Sequence, residues 1–313
     1  MSDLPTATLG RTNLEITKLG YGAMELRGGG GRRARTVDDD TAGQVLNAVL
    51  DAGINFIDTS PDYGLAEERI GKFISHRRDE FFLASKCGCP INLAPPAEGQ
   101  RPAHVFTREN IRAGVEQSLE RMKTDHLDLV QFHANPARSV LEENESVEEL
   151  NALQSEGKIR FLGMSGTLPH LPDHIAMGVF DAFQIPYSAL EREHEQLITD
   201  AANAGSGTII RGGVARGMPA AENLDLSGLP DRFREMYEQR RRRWEGANLD
   251  DLMEGMSAME FTLRFTLSHP HMSTTIVGTA NSEHLAGNVD AARKGPLPDD
   301  IYQEALRRLD SVG

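Results

Sequence analysis

Gly53-Ile54-Asn55-Phe56-Ile57-Asp58-Thr59-Ser60-Pro61-Asp62-Tyr63-Gly64 is a short apolar run that ends on a carboxylate, with a tyrosine five residues further on. It predicts a buried strand carrying Asp58 to its carboxyl end and a loop presenting Tyr63. Phe81-Phe82-Leu83-Ala84-Ser85-Lys86 and Leu127-Asp128-Leu129-Val130-Gln131-Phe132-His133 have the same form, each an apolar run closed by an ionisable residue. Burying an ammonium, a carboxylate, an imidazole and a phenol at strand ends is costly unless they satisfy one another. Together they suit a proton relay, in which Lys86 favours the ionised form of Tyr63, Asp58 compensates Lys86 and His133 orients the substrate oxygen. The reaction that uses a phenol as general acid beside a hydride donor is carbonyl reduction.

Outward from these three runs the chain keeps alternating. Strands are predicted near Lys18 to Gly22, Asn55 to Asp58, Phe81 to Lys86, Leu127 to His133, Phe161 to Ser165, Ala182 to Tyr187, Thr208 to Arg211 and Thr274 to Gly278. Amphipathic helices are predicted at Asp39 to Ala52, Glu67 to Ile74, Thr107 to Met122, Ser146 to Glu156, Leu171 to Met177, Glu193 to Ala204, Met256 to Leu267 and Ser282 to Ala292. In the third of these, Ile111, Val115, Leu119 and Met122 line one face and Thr107 is placed to cap it. The segment Ala7 to Ile16 reads as a hairpin around a Gly/Asn turn. Eight strands alternating with eight helices predict an α/β protein, a single closed (β/α)8 TIM barrel over residues 1–313 with an N-terminal β-hairpin. No GxGxxG or GxxxxGK[ST] loop follows the first strand, which counts against dinucleotide-binding open sheets and P-loops.

Three segments fall outside the alternation: the basic, glycine-rich Arg27 to Arg35, the Pro/Gly/Ala stretch Cys89 to Pro102, and Gly212 to Gly255. Loops at the carboxyl ends of barrel strands shape the pocket, so these are predicted to be substrate lids.

The formal net charge of −14 argues against nucleic-acid partners, with the Arg240 to Arg243 run as the exception. No apolar stretch is long enough to span a bilayer, and the N-terminus has no secretory pattern. A cytoplasmic setting without a membrane partner is expected. The two cysteines, Cys87 and Cys89, are too close for an ordinary disulfide and too few for a complete zinc site; they are expected to be small buried apolar residues beside Lys86. Metal-assisted hydrolysis on a barrel needs several His and carboxylate ligands at strand ends, and only Asp58 and His133 are so placed, so no metal is expected.

The sequence resembles the aldo-keto reductase superfamily from the hairpin to Asn288. Gly53 to Gly64 is similar to the family's GxNFxDTAxxYG signature, with Ser60 where Ala is usual; Lys86 and the Asp128-to-His133 stretch fit its other strand-end motifs. The resemblance implies a catalytic tetrad of Asp58, Tyr63, Lys86 and His133. It further implies a nicotinamide site. Gly157 to Gly166 resembles the run whose Ser and Asn hold the carboxamide, and here Ser165 is kept while Gly166 replaces Asn. Gln184 fits a third carboxamide contact, and Arg211 stands where relatives place a ring-stacking aromatic. Gly22 closes the first strand, and Gly212 and Gly213 would let backbone approach the pyrophosphate. The stretch Thr275 to Asn288 resembles the closing cofactor motif, with Gly278, Thr279, His284 and Asn288 as candidate contacts. No Lys or Arg stands at Gly278, Ala280 or His284 to bind a 2′-phosphate. NADP(H) is the expected cofactor, with NAD(H) as the alternative, and the substrate class is a small-molecule carbonyl or alcohol. A cofactor-binding sensor on the same barrel with little turnover stays open at this point.

Overall fold

The computed structural model describes residues 3–28, 37–91, 103–215, 217 and 231–312, without the side chains of residues 232 and 233. The chain opens with β1 (Thr6–Thr8) and β2 (Glu15–Thr17), an antiparallel pair with Ala7 opposite Ile16. Eight parallel strands follow: β3 (Leu19–Gly22), β4 (Phe56–Asp58), β5 (Phe82–Cys87), β6 (Leu127–Phe132), β7 (Ile159–Ser165), β8 (Ala182–Pro186), β9 (Gly207–Arg211) and β10 (Thr274–Val277). They close in chain order, β10 pairing back to β3, into the predicted (β/α)8 barrel. Closure leaves no sheet edge, and burial on both faces explains why these strands read as near-continuous apolar runs.

The helices are α1 (Asp39–Asp51), α2 (Ala66–Phe73), α3 (Arg108–Met122), α4 (Arg138–Glu143), α5 (Ser146–Ser155), α6 (Leu171–Met177), α7 (Glu195–Asn203), α8 (Asp231–Ala247), α9 (Ala258–Leu267), α10 (Ser282–Arg293) and α11 (Asp299–Ser311). Their starts follow local chemistry. Asp38 accepts a hydrogen bond from Thr41 N at 2.7 Å, Thr107 from Asn110 N at 3.4 Å and Ser257 from Glu260 N at 3.1 Å. Helices α4, α8 and α11 were not expected. Helix α8 interrupts the stretch read as one long lid, Gly212 to Gly255, because its heavy charge hides a narrow buried face of Tyr237, Arg240 and Ala247. The remaining parts of the three predicted lids, residues 29–35, 92–102, 216 and 218–230, lie outside the described residues.

Alternation along the strands creates two cores. Ile57, Leu83, Val130, Leu162, Phe183 and Ile210 point outward into the layer shared with the helices. Phe56, Ala84, Leu129, Ala182 and Ile209 point into the barrel, where Leu9, Leu14 and Ile16 of the hairpin plug the amino-terminal end. Gly207 and Gly10 make this plug fit, since a Cβ on either would collide with the other segment's backbone or Leu9. With one end filled by apolar side chains, polar residues inside the barrel are gathered at the other.

Candidate active site

At the carboxyl end of the strands Asp58 is the centre of a buried polar network. Its Oδ1 accepts from Lys86 Nζ at 2.6 Å, Gln131 Nε2 at 2.9 Å and Gln184 Nε2 at 2.8 Å. Lys86 also donates to Thr59 O at 3.0 Å, and Ser165 Oγ donates to Gln184 Oε1 at 3.3 Å. Asp58 is 2% and Lys86 1% exposed, so the two charges survive burial only by pairing with each other and with these amides. The parallel register sets Lys86 beside Gln131 and Ser165 beside Gln184. Gly163 gives Gln131 its room, because a Cβ there would stand 2.8 Å from Gln131 Cγ. Sequence reading assigned no role to Gln131, whose amide is as close to Asp58 as the predicted Gln184. Gln184 engages Asp58 and Ser165 directly.

Tyr63 and His133 lie above this network. Their rings meet edge to face with centroids 6.1 Å apart, and Lys86 Nζ is 5.8 Å from the Tyr63 centroid. The structure therefore brings together all four residues of the predicted tetrad. The electrostatics add one partner that was not expected. Burial, with the Asp58 and Asp62 carboxylates adding to it, raises the Tyr63 phenol above its ordinary range; the opposing positive charge is that of Arg211. Lys86 is itself paired with Asp58 at 2.6 Å, so its charge reaches Tyr63 offset by that of the carboxylate. His133 is pulled down to about 4, chiefly by burial, against the upward pull of Asp62. The site thus holds a protonated phenol beside a neutral imidazole.

A second group adjoins His133. Its Nδ1 is 3.4 Å from Cys89 Sγ, 3.3 Å from His104 Nε2 and 3.5 Å from Asp62 Oδ2. Cys89 and Cys87 are free and buried, as expected, but Cys89 joins a cluster that sequence reading did not foresee. His104 precedes α3 in no recognisable spacing with the others, so only the fold could reveal its place. Ser60, the departure from the signature, donates from Oγ to Asp62 Oδ1 at 2.6 Å.

The expected cofactor positions lie on the adjoining rim formed by β9, β10 and β3. Gly22 and Gly212 are not crowded by their neighbours: a Cβ on either meets nothing nearer than 3.8 Å, and Gly212 has the left-handed φ of 76°. Bare backbone at the ends of β3 and β9, on either side of β10, fits a flat ring or a phosphate. Gly213 and Gly278 have packing reasons for lacking a side chain, since a Cβ would stand 2.3 Å from Thr275 Oγ1 and 2.7 Å from Gly22 O, respectively. Thr279 is buried, with its carbonyl bound by Tyr21 Oη at 2.7 Å. His284 is exposed and Asn288 half-buried on α10. The first turn of that helix is capped by Asn281 Oδ1, which accepts from Glu283 N and His284 N.

The aldo/keto reductase family model matches residues 18–307. The chain belongs to the aldo/keto reductase family. This family member is 26% identical over 303 residues to Uncharacterized oxidoreductase YqkF of Bacillus subtilis (strain 168), covering 93% of this chain and 92% of that one. It is 26% identical over 304 residues to L-galactose dehydrogenase of Arabidopsis thaliana, covering 93% and 89%. Among solved structures, aldo-keto reductase AKR11C1 from Bacillus halodurans, in its holo form, superposes with a TM-score of 0.80 at 25% identity over 97% of this chain and 96% of that chain. The aldo/keto reductase is thus a nicotinamide-dependent oxidoreductase acting on small molecules. No helix among the described residues is long and apolar enough to cross a membrane.

Proposed function

We propose that this aldo/keto reductase reduces the carbonyl of a small aldehyde, ketone or keto-sugar, with Tyr63 giving the proton to the carbonyl oxygen, and that it runs in reverse on the alcohol. The observation carrying this reading is the meeting of Tyr63 and His133 above the buried Lys86–Asp58 pair. When bound, the nicotinamide supplies the hydride. Tyr63, its phenol raised by burial, arrives protonated and so serves as the acid. The Arg211 charge favours the phenolate left after proton donation. His133, neutral, offers a ring N–H to the substrate oxygen without a competing charge. Asp58, Lys86, Gln131 and Gln184 hold the floor of the site rigid, with Gln184 and Ser165 also proposed to face the carboxamide. The likeness to a protein named L-galactose dehydrogenase supports sugars within the substrate class.

NADPH is the proposed cofactor, with NADH accepted at little penalty. Gly22, Arg211, Gly212, Gly213, Gly278, Thr279, His284 and Asn288 would hold it. A charge-assisted hydrogen bond to a 2′-phosphate is worth about 1.5–3 kcal/mol. No Lys or Arg stands at Gly278, Ala280 or His284 to make one, Arg293 is engaged by Asp3 and Asp290, and Arg240 by Glu191.

Tyr63→Phe tests the reading. Turnover is expected to fall by about 10² to 10⁴ while the cofactor dissociation constant holds, because the ring keeps its shape and loses only the proton. A variant with more than about a third of wild-type turnover removes Tyr63 from the chemistry.

A further inference from the structure

Four side chains from separate stretches of the chain point their donor atoms at one another. They are Asp62 after β4, Cys89 after β5, His104 before α3 and His133 after β6. Cys89 Sγ is 3.4 Å from His133 Nδ1 and 3.8 Å from His104 Nε2, and the two imidazole nitrogens are 3.3 Å apart. Asp62 Oδ2 is 3.5 Å from His133 Nδ1 and 3.7 Å from His104 Nε2. All four donors lie within 4.8 Å of one another.

These separations have a chemical signature. A tetrahedral zinc ion binds nitrogen at about 2.0–2.1 Å, oxygen at about 2.0–2.2 Å and thiolate sulfur at about 2.3 Å, which places neighbouring donors about 3.3–3.6 Å apart. Three of the five distances fall in that range, and the two to His104 from Cys89 and Asp62, at 3.8 and 3.7 Å, lie just above it. Thiolate, two imidazoles and one carboxylate form a donor set that suits zinc and disfavours magnesium or calcium, which take oxygen ligands. We propose that Asp62, Cys89, His104 and His133 form a binding site for one zinc-class divalent ion beside the reduction site.

The surroundings are built to match. Ser60 Oγ donates to Asp62 Oδ1 and so leaves Oδ2 directed at the imidazoles, an outer contact of the kind that orients metal ligands. Phe106 stacks against the His104 ring at 6.4 Å. An ion can enter from a cleft of about 440 Å³ lined by Pro61, Asp62, Gly64, Cys89 and Ile91. On binding, the Cys89 thiol releases its proton to solvent and the sulfur bonds to the metal, with no change of oxidation state. His133 bound through Nδ1 then carries its proton on Nε2, which fixes one tautomer of the proposed carbonyl-orienting ring. With four protein ligands the coordination sphere is closed, so the ion is a clamp on the loops bearing Tyr63 and His133 and does not contact the carbonyl.

The test uses full-length protein stripped with a chelator and titrated with cobalt(II), then with zinc. One equivalent of cobalt is expected to give the intense visible absorption of tetrahedral coordination together with a near-ultraviolet thiolate-to-cobalt band, and one equivalent of zinc to bleach both. Cys89→Ser should abolish the thiolate band, and His104→Ala, at a half-buried position, should weaken binding by at least about tenfold. Far-ultraviolet circular dichroism of each variant shows that it is folded. Octahedral cobalt without a thiolate band, or equal affinity in wild type and both folded variants, overturns the site. Because these readouts do not involve turnover, their failure is separate from any failure of the carbonyl-reduction reading.

Discussion

Deleting the Lys86 charge should reveal how the floor of the site is held. In Lys86→Met the Asp58 carboxylate, 2% exposed, keeps only the Gln131 and Gln184 amides at 2.9 and 2.8 Å. In Asp58→Asn the ammonium keeps the Thr59 carbonyl at 3.0 Å and loses its counter-charge. Removing one member of a buried pair costs about 3–5 kcal/mol. At about 2.1 cal/mol/K per residue, 313 residues have an unfolding entropy of about 0.66 kcal/mol/K, so each single variant should lose about 5–8 °C in Tm. The double variant buries no charge, and the amide oxygen that replaces the Asp58 carboxylate still accepts from both glutamines. Its loss should fall short of the sum of the two single losses by at least about 2 kcal/mol. Calorimetric melts of the four proteins measure this, while turnover stays abolished in all three variants. A coupling below about 0.5 kcal/mol would refute the argument that pairing is what keeps both charges buried.

Further outcomes are expected. The ratio of NADH to NADPH dissociation constants, from fluorescence titration, should stay within about tenfold, given the missing basic partner, and His284→Ala should reduce it; a ratio above about a hundred that ignores the substitution points to an unrecognised basic contact. For chelator-treated enzyme, kcat/KM for reduction should be level between about pH 6 and 9, because Tyr63 is raised out of that range and His133 held below it; an inflection near the ordinary imidazole value would show His133 titrating in the reaction. Glu67 is buried among Ser85, Ser118 and Arg121 with its carboxyl raised by burial above 4.5, so its contribution to stability is present below that pH and is lost as pH rises through the folded value. Glu67→Gln should therefore gain on wild type in Tm as pH rises from about 4.5 toward neutrality, and a constant difference across that range would show that Glu67 does not titrate with folding.

Most of the barrel was legible because strand and helix signals are local. Phe56-Ile57-Asp58 and Leu127 to Phe132 are apolar because both faces of a parallel strand are buried, and the cap at Thr107 is single-residue chemistry. Helix α8 was not legible, because its buried face includes Arg240, whose ion pair with Glu191 is a tertiary fact that no periodicity records. Helix α11 lay beyond the recognised motifs, and Tyr302, Ala305 and Leu309 became a buried face only through packing against the body of the protein.

The site divides along the same line. Strand-end position is a property of sequence, so Asp58, Tyr63, Lys86 and His133 could be named from their runs and from the family resemblance. Which charge acts on which group depends on distance in the folded chain. Lys86 is paired with Asp58 at 2.6 Å, and Arg211 joins as a charge that favours the Tyr63 phenolate. Gln131 joined the network because Gly163, on the neighbouring strand, leaves it space. Asp62, Cys89 and His104 carry no common spacing. Barrel closure brings the ends of successive strands within a few ångströms, so donors far apart in sequence converge around His133. Sequence by itself determined the fold and the reaction class; only tertiary structure decided the partners of each buried charge, because Coulomb and coordination energies depend on separations in space.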